Sequence, residues 1–212
     1  MPMLLIPKAF ARVSDAASTD DTRPFITGVH VKETVESIQL EATDGKRLIR
    51  ATLPKKDAIS PDEYPLIPGL DASSNGATEG TIPADSWRKA FKAMPRRVHM
   101  PVLERLAVVL GETQVTLAST DLRSPSVSTS PLIEGSFPKT ETVIPQGPPV
   151  FSILLDADLL ADTLGALASF AEGVRSVRLE FYGPETPAKL TVPTAKEGAQ
   201  VVAVLAPMRD GK

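Results

Sequence analysis

One pattern constrains this chain more than any other: a helix-like segment followed by about three strand-like runs occurs three times. Helical spacing opens at Pro7, Pro83 and about Asp156, intervals of 76 and about 73 residues. Pro7 to Ser18 starts with Pro at a first-turn position, sets Phe10 and Val13 on one face, and sets Lys8 and Arg12, four apart, on another. Pro83 to Met94 repeats the design, with Trp87, Ala90, Phe91 and Met94 as a core stripe and Asp85, Arg88, Lys89 and Lys92 opposite. Asp156 to Phe170 turns Leu159, Leu160, Leu164 and Leu167 inward and opens with acids suited to a helix N-terminus.

Alternating runs follow each helix: 25–31, 37–43 and 46–53; then 105–111, 114–120 and 124–132; then 176–183, 188–194 and 199–208. The turns at 42–48 and 119–125 occupy matching places, with Asp44 and Asp121 separated by 77 residues. Three units of βαβββ character fit. A period this long suggests a duplicated half-domain whose sheets pair with another copy to cover their edges, and an odd number leaves one half unpaired. Ile144 to Pro149, rich in Pro and Gly, reads as the linker before the third unit. The expected domains are therefore 1–146, a complete two-half domain, and 147–212, a half-domain. The class is α+β, with helices on one face of antiparallel sheets.

Composition narrows the function classes. The chain has 212 residues, 42% hydrophobic and 23% charged, which is enough for a proper core. It has no Cys and two His, so thiolate nucleophiles, disulfides and thiolate metal sites are excluded, and little remains for a His-based metal site. His30 and His99 lack clustered carboxylate partners, and Asp44 and Asp121 read as turn-forming residues rather than paired acids. Phosphate-loop, dinucleotide and nucleophile-elbow patterns are missing. No catalytic residue, metal or cofactor is expected, and neither is enzymatic activity. The apolar run before Lys8 is too short for a signal segment or a membrane span, so no membrane partner and a cytoplasmic location are expected. Met1 stands just ahead of a helix, which fits a naturally short chain.

Net charge is −3, but its distribution is polar. Residues 83–105 sum to +4, and residues 150–173 to −4 with no Lys or Arg. Either a basic face meets an anionic partner, or both segments are simply solvated.

Several passages, in order, resemble the bacterial DNA polymerase III β-subunit, the sliding-clamp family. TRPFITGVHV with LEATDGKRLIRATLP is similar to the first half of that family's middle domain, where an Ala-Thr-Asp-Gly-His-Arg-Leu turn is typical. LIEGSFPKTETVIP (132–145) is similar to the passage from the middle to the last domain, and LDADLLADTLGALAS with VVAVLAPMR (201–209) to the last helix and C-terminal strand. The set runs over nearly the whole chain, which holds about three of the family's six half-units and nothing like its first domain.

The resemblance implies a DNA-clamp fold and two binding surfaces. Lys8, Arg12, Arg88, Lys89 and Lys92, with Arg96 and Arg97 at the helix exit, would meet the phosphates of double-stranded DNA without reading sequence. The acidic third helix departs from this scheme. Ile26, Thr43, Gly45, Lys46, Arg47, Leu48, Pro138, Val143, Val204, Leu205, Pro207, Met208 and Arg209 would capture a short linear peptide from a DNA polymerase or another clamp-binding protein. Lys46 stands where the family has His, Ala206 where it has Met, and Asp210-Gly211-Lys212 where it ends in Leu. A six-domain ring needs twelve half-units, so four chains would close one, a homotetramer of about 90 kDa from chains of 22.6 kDa. The competing reading is a clamp-like binding module that never encircles DNA and pairs or competes with a clamp or its partners.

Overall fold

Alternating apolar residues pair into three antiparallel sheets. The computed structural model describes residues 3–55, 59–70, 77–95 and 100–209, in two compact units, Met1–Ile144 and Pro145–Lys212.

The first unit contains two four-stranded sheets. Strands β2 (Gly28–Glu33), β3 (Ser37–Thr43) and β4 (Leu48–Pro54) belong to the first half, and β6 (Arg105–Leu110), β7 (Gln114–Ser119) and β8 (Ser126–Pro131) to the second. Each half also has a short strand immediately before its helix, β1 (Leu4–Pro7) and β5 (Glu79–Pro83). These two are exchanged: the sheet orders are β4-β3-β2-β5 and β1-β6-β7-β8, so each half donates its leading strand to the other. Leu4 pairs with Val108 and Ile6 with Leu106, while Val29 pairs with Ile82.

The helices cover one face of both sheets. Helix α1 (Ala84–Ala93) buries Trp87, Ala90 and Phe91 as its spacing predicts, and Met94 just beyond it is also buried. These join Ile6, Val29, Val31, Leu40, Ile82, Leu106, Val108 and Leu117 in one core. The reverse face of β6 is buried as well, because Ala107 and Val109 pack under Tyr64 and Ile67. That explains an apolar run without alternation in β6.

The first helix differs from expectation. Lys8–Ala16 is a 3₁₀ helix, whose three residues per turn place Lys8 and Arg12 on different sides rather than stacked. Side chains also bond two of its carbonyls. The Ala11 carbonyl accepts from Trp87 Nε1 at 3.0 Å and from Ser14 Oγ at 3.2 Å, and the Ser14 carbonyl accepts from Arg88 Nη2 at 2.9 Å.

The second unit has one helix and one small sheet. Helix α2 (Ala157–Phe170) is capped by Asp156, which accepts from the Leu159 amide at 2.9 Å. Strands β9 (Arg178–Glu180), β10 (Ala188–Thr191) and β11 (Val202–Leu205) are ordered β11-β10-β9. Leu167, Ala188, Leu190 and Leu205 form the core, with Leu160 and Leu164 half-buried against it. Leu159 is 57% exposed rather than inward, since a three-stranded sheet is too narrow to cover so apolar a helix. Strands β9 and β11 are shorter than their alternation predicts, both being edges.

Candidate functional site

Five candidate DNA-contacting cations lie on the two helices of the first unit. Lys8 Nζ donates to the Pro95 carbonyl at 2.7 Å, which ties the start of the 3₁₀ helix to the end of α1. Arg88 reaches across to the Ser14 carbonyl and also pairs with Asp85 at 3.1 Å. Arg12 is exposed and pairs with Asp15 at 2.8 Å. Lys89 and Lys92 are exposed, with no ion pair among the described residues. Against these five cations the pair carries Asp15 and Asp85, so the two helices together are net basic. Arg96, Arg97 and His99 lie outside the described residues.

The candidate peptide-binding residues lie in both units, and each group is set by its own fold. In the first unit the β3–β4 turn is held by Asp44, whose Oδ1 accepts from the amides of Lys46 (2.9 Å) and Arg47 (3.0 Å). Those bonds hold its carboxyl below the usual range. Thr43 Oγ1 donates to the Arg47 carbonyl at 2.7 Å and accepts from Gly45 N–H, which sits at φ 86°. Lys46 and Arg47 project outward, Arg47 pairing with Asp44 at 3.0 Å, and Leu48 is half-buried. Pro138 and Val143 are exposed on the segment after β8, whereas Ile26 is a core residue. In the second unit Val204, Met208 and Arg209 are exposed, Pro207 is half-buried, and Leu205 is core. Ile26 and Leu205 therefore have no side-chain surface for a peptide; they support the residues around them.

The sequence reading missed a groove of about 860 Å³ lined by strands β2, β3 and β5, the β7 and β8 residues around Gln114 and Ser130, and the segment 132–141. His30 stacks on Phe137 (centroids 4.8 Å apart, 5° between planes), and its Nδ1 lies 3.1 Å from Thr81 Oγ1. Burial holds the imidazole below its ordinary value, despite opposing pulls from Glu79 and Glu41. Beneath the groove Arg50 Nε bonds Glu41, Arg50 Nη2 bonds Thr140, and Thr140 Oγ1 donates to Glu41 at 2.6 Å. No signal in the sequence links these residues, because Glu41 and Thr140 are 99 positions apart. No group of three potential metal ligands occurs among the described residues, and none of their helices is long and apolar enough to cross a membrane.

No protein-family model matches the chain. It is 30% identical over 147 residues to the β sliding clamp of Synechocystis sp., across 69% of this chain and 34% of that protein. It is 28% identical over 175 residues to the β sliding clamp of Micrococcus luteus, across 82% and 48%. The chain thus spans a third to a half of the length of these curated relatives. Among solved structures, the Pseudomonas aeruginosa DNA polymerase sliding clamp superimposes with a TM-score of 0.71 at 18% identity, covering 100% of this chain and 52% of that one. The Streptococcus pneumoniae DNA polymerase III β chain gives 0.69 at 20% identity, covering 99% and 50%. The Caulobacter crescentus β sliding clamp gives 0.66 at 23% identity, covering 99% and 51%. The exchanged half-units, the helices on one sheet face and these alignments lead to one conclusion: the chain has the DNA-clamp fold and is a relative of the bacterial DNA polymerase III β sliding clamps.

Proposed function

We propose that the chain is a sliding-clamp-like processivity factor that works by binding rather than catalysis. Several copies, four by the count of half-units, would encircle double-stranded DNA and tether a polymerase or another partner carrying a clamp-binding peptide. The observation that carries this reading is the basic helix pair of the first unit. Its five cations, Lys8, Arg12, Arg88, Lys89 and Lys92, outnumber Asp15 and Asp85, which pair with Arg12 and Arg88, and Lys89 and Lys92 are exposed with no ion pair among the described residues. A surface of that kind attracts phosphate at any sequence and releases it as salt rises. The turn at Asp44–Leu48, with Arg47 outward, and the exposed Val204 and Met208 supply the hydrogen-bonding and apolar groups a short peptide needs.

A second reading, a clamp-like binding module that never encircles DNA, is favoured by α2. Its exposed Asp158 and Asp162 would repel phosphate.

Retention on nicked circular DNA compared with the same DNA linearised separates the two. Encirclement predicts that the circular form holds the protein after a salt wash and the linear form sheds it. Lys89→Ala with Lys92→Ala should lower the salt slope of binding by about 2. Equal loss from both forms, together with no effect of the lysine changes, would establish the second reading instead.

A further inference from the structure

The first unit displays, covered, the surfaces that the second unit leaves bare. In the first unit the strand before each helix pairs antiparallel with the first strand of the other half: β1 with β6, and β5 with β2. The exchange is reciprocal and brings the two helices together through Trp87 and Ala11, Arg88 and Ser14, and Lys8 and Pro95.

The second unit repeats one half of this arrangement. Strand β9 is the counterpart of β2 and β6, but it pairs only with β10 among the described residues. The counterpart of β1 and β5 is 150–155, directly before α2, which pairs with no strand among the described residues. This segment already occupies the leading-strand position. The Met208 amide donates to the Leu154 carbonyl at 2.8 Å, as the Ile133 amide donates to the Thr81 carbonyl at 2.8 Å. Both acceptors stand three residues before their helix, and both donors follow the last strand of their own half. Alternation then turns the backbone groups of Ile153 and Leu155 away from that bond, toward an absent neighbour.

The side chains agree. Val150 is fully exposed, and Phe151, Leu154, Leu179 and Phe181 each expose about two-fifths of their area, although Phe151 lies against Phe181 at 5.9 Å. Helix α2 buries one residue, Leu167, where α1 buries four in a shorter span. Its Leu159, Ala166 and Phe170, spaced seven and four apart, form an exposed stripe. A free edge beside an apolar face is unstable in water alone.

We propose that the second unit completes itself with the same unit of a second chain: residues 150–155 of each copy add antiparallel to β9 of the other, and the two α2 helices meet across a two-fold axis. This takes the homo-oligomeric reading above as its frame and names one of its contacts. The occupant is a second copy because each unit offers both halves of the joint, a donor segment and an acceptor edge, so the contact is self-complementary.

The test is the solution mass of the full chain by light scattering from about 1 to about 100 μM, without DNA, with amide exchange read at 151–155 and 178–181. A mass of two or four chains, with protection at both segments that disappears on dilution, is the expected result. Ile153→Pro removes an amide from the exchanged strand, and Leu159→Lys with Phe170→Lys charges the helix stripe. Each should halve the mass or reduce it to one chain. Asp158 and Asp162 adjoin the stripe, so association should persist or strengthen in high salt, opposite in sign to DNA binding. A single-chain mass throughout the range overturns the proposal, as does an oligomer indifferent to both variants. The DNA assay is independent of either outcome.

Discussion

Asp44 and Asp121 build the same turn 77 residues apart, each accepting two amide hydrogens with one oxygen: Lys46 and Arg47 at the first, Arg123 and Ser124 at the second. The residue after each is left-handed. At the first it is Gly45 (φ 86°), and at the second it is Leu122 (φ 73°), which is 59% exposed and gains little from packing. A left-handed L-residue costs about 1–2 kcal/mol, and a glycine gives back about 0.4–1 kcal/mol of that through the freer unfolded chain. Leu122→Gly should therefore raise stability by about 0.5–1 kcal/mol in urea unfolding; a loss would mean that Leu122 makes a contact worth more than its strain. This turn was legible in the sequence because all its bonds lie within four residues. His30 was not, since Phe137 and Thr81 reach it only through the fold. Its buried ring favours the neutral form, so its folded pKa lies below the unfolded 6.5. That contribution is complete above pH 6.5 and is lost as pH falls through that value toward the folded pKa. His30→Gln should flatten the fall in stability between about pH 7 and about pH 5, measured by melting temperature. An unchanged slope would assign the fall to carboxylates.

At the scale of elements, the segment after β8 is fixed to the sheets by three unlike contacts. The Ile133 amide bonds the Thr81 carbonyl, Phe137 stacks on His30, and Thr140 joins Glu41 and Arg50. Glu41 and Thr140 are both 4% exposed, so removing the guanidinium strands a buried carboxylate. Arg50→Met, which keeps most of the stem, should cost about 3–5 kcal/mol, while Glu41→Gln added to it should cost less than Arg50→Met alone, because the pair leaves no orphaned charge. Denaturant unfolding of the Arg50→Met variant and of the double variant checks this, and equal losses would show that the stranded carboxylate is not the source of the cost. Long alternation marks its strands well: the runs at 37–43 and 114–120 form strands at 37–43 and 114–119. Strands β1 and β5 were not assigned, being four and five residues long with partners in the opposite half. The 3₁₀ form of Lys8–Ala16 was equally hidden, and the donors that bond its carbonyls, Trp87 and Arg88, come from the other helix.

Over the whole molecule, the repeat period and the charge polarity were the legible quantities, since both survive averaging over segments. Of the seven cations that the resemblance implies for DNA, Lys8, Arg12, Arg88, Lys89 and Lys92 lie on the two helices of the first unit, and Arg96 and Arg97 lie outside the described residues. The peptide-binding residues were carried by resemblance alone, and burial separates Ile26 and Leu205 from the rest. What no local pattern contains is the exchange of leading strands, and it has a consequence for biosynthesis. Strand β1 leaves the ribosome well before its partner β6, which follows roughly a hundred residues later, Leu4 meeting Val108. At about 5–20 residues per second, that strand waits roughly 5–20 s for its neighbour. The first half cannot finish before the second emerges, so the unit folds as one cooperative body with a high contact order, its leading apolar strand waiting unpaired meanwhile.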